Sequence, residues 1–199
     1  MKLNWLMILP LALTATFFGL AGWKLTNNQN AQSTGVDTQA LPSAQQGRAA
    51  PPLDLQVLPG SDLLTRDALE GEGLVILNFF ASWCPPCRAE HPTLTALAEA
   101  GVPLYGVNYR DREAQALSFL EELGNPYDLI GTDPAARNGR DWGVVAMPET
   151  FFINEEGVIV LHFRGPIVRR SLDAQVRPAL QEAGYSLPDL EPLETAETN

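Results

Sequence analysis

From residue 53 onward the chain alternates between short apolar runs and stretches of helical period. Leu74-Val-Ile-Leu-Asn-Phe-Phe80 is a continuous apolar run that reads as a central strand buried on both faces. Residues 84–100 then take a helical period, with Leu94, Leu97 and Ala98 on one face, Pro92 as a kink and Gly101 as terminator. Residues 104–109 form the next strand, and a helix near 112–123 turns Leu117, Leu120 and Leu123 inward before Gly124. Upstream, residues 53–58 make a short strand. Downstream, strands at 150–153 and 158–163 flank Asn154-Glu-Glu-Gly157, a hairpin signal, and a last helix near 169–183 stops at Gly184. The order β-α-β-α-β-β-α predicts an α/β domain with a central mixed sheet and helices on both faces.

The ends of the chain follow different rules. Residues 3–23 carry no charge, are long enough to cross a bilayer, and place Trp5 and Trp23 near the two interfaces. This predicts an N-terminal transmembrane anchor over residues 1–26. A cleavable signal peptide is the alternative, because Gly19 and Ala21 have suitable size and spacing, although the apolar segment exceeds the usual length. Residues 27–50 are rich in Asn, Gln, Ser, Thr, Gly and Ala and read as a flexible leash. The compact domain is expected over 51–185, from the Pro51-Pro52 pair onward, and residues 186–199 as a disordered acidic tail.

Composition narrows the function without naming it. A chain of 199 residues with 45% hydrophobic content buries one ordinary core. Its 24 acidic against 13 basic residues argue against nucleic acid or an anionic membrane surface as partner.

The candidate chemistry lies in Trp83-Cys-Pro-Pro-Cys87, which holds both cysteines of the chain. Cys84 falls at a helix N-terminus, where free backbone N–H groups and the macrodipole favour the thiolate that attacks disulfides. Cys87 lies one turn further on, placed to resolve the mixed disulfide. Three other readings compete. A zinc site needs two more ligands, and only His91 and His162 remain, neither in a paired motif. A purely structural disulfide would close too small a ring to remove much chain entropy. A peroxidase would need Thr or Ser three positions before its reactive cysteine, where Ala81 stands. A tethered dithiol domain with no other cysteine suits an oxidising compartment. The flanking charges, Lys2 against Lys24, are too balanced to set orientation.

Strand, Trp-Cys-x-x-Cys, a helix with proline five residues past the second cysteine, and a later proline opening a hairpin strand together resemble thioredoxin, over roughly residues 51–185. A finer resemblance is carried by Trp83-Cys-Pro-Pro-Cys-Arg-Ala-Glu-His-Pro92, Tyr109-Arg-Asp-Arg112, Leu123-Gly-Asn-Pro-Tyr127 and Gly143-Val-Val-Ala-Met-Pro-Glu-Thr-Phe151. These are similar to the DsbE/CcmG family, membrane-anchored thioredoxin-like reductases of cytochrome c maturation. The resemblance implies a single-pass protein of the bacterial inner membrane whose domain faces the periplasm. It implies reduction of the haem-site disulfide of apocytochrome c, directly or through a maturation factor, with electrons from a membrane thiol-disulfide transporter and no bound cofactor or metal. It also implies a cis proline at Pro148, a bond geometry that X-Pro peptides alone adopt at small cost. Thioredoxin keeps a buried aspartate on the strand before its dithiol; Asn78 stands there and cannot titrate. In the cytochrome-maturation family nearby acids come from elsewhere, and the matching positions are Glu90 and Glu149. Both are expected beside the dithiol, disfavouring the thiolate and shuttling a proton during exchange.

The intervening residues argue direction independently of family. Strong oxidants owe their potential to a stabilised thiolate, and Pro85 and Pro86 supply neither charge nor N–H. The dithiol is therefore expected to act as a reductant. A general periplasmic thiol reductase for other substrates, and a non-redox module that binds apocytochrome or haem, are the remaining alternatives.

Overall fold

The computed structural model describes residues 43–71 and 73–191. The expected membrane anchor and most of the leash lie outside the described residues. Among those described, no helix is long and apolar enough to cross a membrane.

Six strands form one sheet in the order β1-β4-β3-β2-β5-β6. They are β1 (Gln56–Val57), β2 (Val75–Phe80), β3 (Leu104–Tyr109), β4 (Leu129–Asp133), β5 (Glu149–Ile153) and β6 (Ile159–Arg164). Strands β2, β3 and β4 run parallel, while β1, β5 and β6 pair antiparallel to their neighbours. Helix α1 (Pro85–Glu99) links β2 to β3, α2 (Glu113–Leu123) links β3 to β4, and the short α3 (Arg137–Asp141) precedes β5. The C-terminal helix is composite: α4 (Arg169–Ser171), a π-helical turn (Leu172–Val176) and α5 (Arg177–Glu182).

Alternation along β2 sorts the core into two layers. Ile76 and Phe80 face one cluster, built with Leu94 and Leu97 of α1, Phe119 of α2 and Leu172, Val176 and Leu180 of the C-terminal helix. Val75, Leu77 and Phe79 face the other, with Leu64, Leu69, Trp142, Phe151 and Ile153. All the longer helices therefore cover the first face, while α3, a 3-10 turn (Arg66–Leu69) and extended chain cover the second.

Several expectations move. The predicted order lacks β4 and α3. The strand expected at 53–58 is only Gln56–Val57, and α2 buries Ala116, Phe119 and Leu120, with Leu117 and Leu123 partly covered. The domain begins before Pro51: Ser43 and Ala50 are buried, and Ala49 bridges to Val158. It also outlasts residue 185, because Leu187 and Leu190 close the first core cluster. The Arg177 guanidinium donates to the carbonyls of Leu187 and Pro188, and Arg169 donates to those of Leu190 and Glu191. Hydrogen bonds to a charged donor hold this segment where acidity alone predicted a solvated tail.

Candidate active site

Helix α1 starts where β2 ends, and the turn between them is fastened from outside. Asp111 accepts the backbone N–H of Ser82 at 2.6 Å and its hydroxyl at 2.9 Å, and also takes Asn108 Nδ2 at 3.0 Å. Trp83 Nε1 donates to the carbonyl of Arg110 at 3.1 Å. Arg110 takes a left-handed conformation, φ 47°, which a side chain adopts only under local constraint. Cys84 is the N-cap of α1, and Cys84 and Cys87 are joined as a disulfide with Cα atoms 5.3 Å apart. Cys84 Sγ accepts the N–H of Cys87 at 3.1 Å. The two sulfur residues are almost equally covered, 3% and 2% exposed, so exposure does not separate their roles; position at the helix terminus does.

The cation nearest the motif in α1 is committed elsewhere. Arg88 grips both carboxylate oxygens of Glu122, at 2.6 and 3.0 Å, and lies 5.3 Å over the Phe119 ring. His91 Nε2 meets the Gly124 carbonyl at 3.1 Å, and His162 pairs with Glu149 on the other sheet face. Neither histidine is disposed as a partner ligand to the cysteines.

Glu90, one turn after Cys87, points into the sheet and is fully buried. Oε1 accepts Asn78 Nδ2 at 3.0 Å, and Oε2 accepts the Ile167 N–H at 2.9 Å. Asn78 also donates to Thr150 Oγ1 at 3.0 Å and receives the Tyr127 hydroxyl at 2.8 Å. Burial pushes the Glu90 carboxyl up to about 8, against the downward pull of the Ile167 and Asn78 bonds. Burial, and then Glu90, raise the Tyr127 hydroxyl well above its ordinary value. Tyr127 reaches Asn78 because position 106 is glycine: a Cβ there would lie 3.0 Å from both Phe80 and Tyr127, whose rings stack at 4.8 Å.

The Met147–Pro148 peptide bond is cis, and Met147 packs against the cluster that contains both cysteines. Val145, Ala146 and Met147 line a cleft of about 410 Å³ with Trp83, Tyr109 and Arg110. Val145 is 79% exposed and Trp83 54%, so an apolar rim faces solvent beside the dithiol.

Glu149 does not lie where the resemblance implies. It pairs in register with Phe79, while Thr150 pairs with Asn78, so side-chain alternation sends Glu149 to the face opposite Glu90 and α1. There its Oε1 accepts the N–H groups of Val145 at 2.8 Å and Ala146 at 2.9 Å, and Oε2 meets His162 Nε2 at 2.6 Å. The structure brings Cys84, Cys87 and Glu90 to one helix and sets the Glu149 carboxylate across the sheet from them. Asp111, Tyr127, Thr150 and His162 were not singled out from sequence as site residues. Asp111, Tyr127 and Thr150 lie in the motif stretches, but the contacts that tie them to the site, with Ser82 and Asn78, span 29, 49 and 72 residues.

The Redoxin family model matches residues 45–176. A thiol:disulfide interchange protein DsbE homolog of Paracoccus denitrificans is 46% identical over 178 residues, 89% of this chain and 94% of that protein. The thiol:disulfide interchange protein HelX of Rhodobacter capsulatus is 37% identical, covering 88% of this chain and 95% of the other. Among solved structures, a thio-disulfide isomerase from Thermus thermophilus superposes with a TM-score of 0.54 at 27% identity, covering 72% of this chain and all of that one. A disulfide-forming cysteine pair at a helix N-terminus and relatives of this extent agree: the chain belongs to the DsbE family of thiol:disulfide interchange proteins, of thioredoxin-like fold, and is a thiol-disulfide oxidoreductase.

Proposed function

We propose that this protein reduces the haem-site disulfide of apocytochrome c during cytochrome c maturation. In this reading residues 3–23 anchor it in the bacterial inner membrane, the domain faces the periplasm, and a membrane thiol-disulfide transporter restores its electrons. The observation that carries the direction of transfer is the environment of Cys84. Its sulfur receives one N–H, from Cys87, next to two prolines that offer none, and Arg88 is tied to Glu122. A thiolate with few donors and no committed cation leaves the disulfide form relatively favoured, which makes the dithiol a reductant. Cys84 attacks the substrate disulfide, one substrate sulfur leaves as a thiol, and Cys87 displaces the other. The substrate gains two electrons and two protons, and Cys84–Cys87 is left oxidised. Glu90, with a carboxyl near 8, is matched to taking and returning a proton at neutral pH.

The test is capture in cells. Full-length protein carrying Cys87→Ser should hold a mixed disulfide through Cys84 with chains containing a Cys-x-x-Cys-His sequence, identified by mass. Capture only of proteins lacking that sequence would replace this reading with a general thiol reductase. A Cys84→Ser, Cys87→Ser protein that still supports cytochrome c assembly would replace it with a binding module.

A further inference from the structure

Glu149 is fully buried on the sheet face away from the dithiol, yet its hydrogen bonds lead back to the cleft. Oε1 holds the N–H groups of Val145 and Ala146 at 2.8 and 2.9 Å, and these residues form the exposed rim beside Trp83. Oε2 is held by His162 Nε2 at 2.6 Å, with Arg164 Nε at 3.9 Å, beyond hydrogen-bond reach. On the far side of the imidazole, Nδ1 meets Ser43 Oγ at 2.6 Å, and that oxygen accepts the Gln45 N–H at 3.1 Å.

The contacts fix one direction in the series: a carboxylate only accepts, so Nε2 donates to Glu149, and Ser43 Oγ, which both donates and accepts, closes the contact at Nδ1. The ring is fixed as well as paired, stacked on Phe151 at a centroid distance of 4.0 Å and only 3% exposed. A short polar series running from Ser43 to the loop before Pro148 is more than core filling, because its end point is two N–H groups of a solvent-facing loop.

We propose that His162 is a positioning residue for disulfide exchange: it aims the Glu149 carboxylate so that Val145 and Ala146 stand at fixed places on the cleft rim, with Ser43 bracing the far side of the ring. The inference rests on reading that cleft as the place where a disulfide substrate docks. Positioning of this kind acts on substrate binding and leaves the sulfur chemistry across the sheet untouched.

The two amide replacements of histidine separate the contacts. His162→Gln keeps a donor near the Nε2 position, facing Glu149, whereas His162→Asn keeps only the group near Nδ1, facing Ser43. Full-length protein is reduced beforehand and mixed with excess peptide containing a closed Cys-x-x-Cys-His disulfide. Two electrons and two protons pass to the peptide, leaving Cys84–Cys87 bonded, and no other reductant is required. With His162→Asn the half-saturating peptide concentration should rise about fivefold or more while the limiting rate stays within about twofold. With His162→Gln both should stay within about twofold of wild type. Amide hydrogen exchange at Val145 and Ala146 should speed up about tenfold or more in His162→Asn alone, with β5 still protected. Equal behaviour of the two variants, or a loss confined to the limiting rate, overturns the inference. If wild-type protein reduces insulin but not the peptide, the apocytochrome reading fails, and the Asn-to-Gln contrast measured on insulin still decides the role of His162.

Discussion

Asn78 and Glu90 lie twelve residues apart in sequence and meet in the core, the amide Nδ2 donating to Oε1 at 3.0 Å. The strand position where thioredoxin keeps its acid thus holds a neutral donor, and the acid itself stands on the helix, aimed at that donor. A carboxyl in this setting keeps its proton to about pH 8. Replacing Glu90 with Gln preserves shape and removes proton transfer. Exchange at pH 7 should slow by about 10-fold to 100-fold, a modest share of the usual general acid-base contribution. The wild-type rate profile should bend near pH 8 and the Glu90→Gln profile should lack that bend, measured by stopped-flow with a peptide disulfide. Superimposable profiles would remove Glu90 from the proton path.

The same group ties stability to pH. In the unfolded chain Glu90 ionises near 4.5, whereas in the fold it holds its proton to about 8. Between these values the native state binds more protons, so the contribution is fully present below 4.5 and is lost as pH rises through 8. The loss is on the order of 4 kcal/mol. Urea unfolding of the oxidised protein at pH 5 and pH 9 should therefore show wild type losing more stability than Glu90→Gln. A parallel decline of the two would contradict this.

For the two cysteines, the helix terminus assigns the roles. In vitro, Cys87→Ser should accumulate a mixed disulfide with a peptide disulfide, and Cys84→Ser should not, as resolved on a non-reducing gel. Equal adduct from both would show that neither sulfur is preferred.

Glu149→Gln should leave the thiolate absorbance titration of the reduced protein unchanged, because the carboxylate lies across the sheet from α1. It should destabilise the fold by about 1–3 kcal/mol, since an amide N–H₂ or a weaker acceptor then faces His162 and the Val145 and Ala146 N–H groups. A shifted thiol titration would place its charge in the dithiol's field after all.

Asp111→Ala removes the acceptor for the Ser82 N–H, the Ser82 hydroxyl and Asn108 Nδ2, so the turn bearing Trp83 loses its outside fastening. About 1–3 kcal/mol of stability should go with it, together with slower exchange at near-saturating peptide. Denaturant midpoints and single-turnover rates check both, and unchanged values would make the contact incidental.

The dithiol, its helix and the flanking strands β2 and β3 were legible because their periods are strong and uninterrupted. Strand β4 was not: Leu-Ile-Gly-Thr-Asp carries a glycine at its centre, where a Cβ would sit 2.5 Å from Leu55. Packing of Leu55 removes the side chain that would have completed the pattern. Helix α3 hides for the same reason, since a Cβ at Gly139 would lie 2.3 Å from the Tyr109 ring. Glu149 is expected beside the dithiol only through the resemblance, and nothing local in the sequence shows which face of the sheet it takes. Strand alternation against Phe79 decides the face, and it could be counted once the register between β2 and β5 is known. Ser43 carried no local signal, since its partner His162 is 119 residues away.

That separation governs how the chain can be completed during folding. Ser43 waits for a ring on the last strand, and the face of the C-terminal helix waits for Leu187 and Leu190, fastened by Arg169 and Arg177. Loops this long must close before their contacts return any free energy, which slows folding relative to a domain built from neighbours. A nascent chain halted before β6 would hold β2, α1 and β3 but leave Ser43 without its partner and Glu149 without its ring. The protein is therefore finished from its end backwards, and among the described residues its final seams are those at Ser43 and at Leu187 and Leu190.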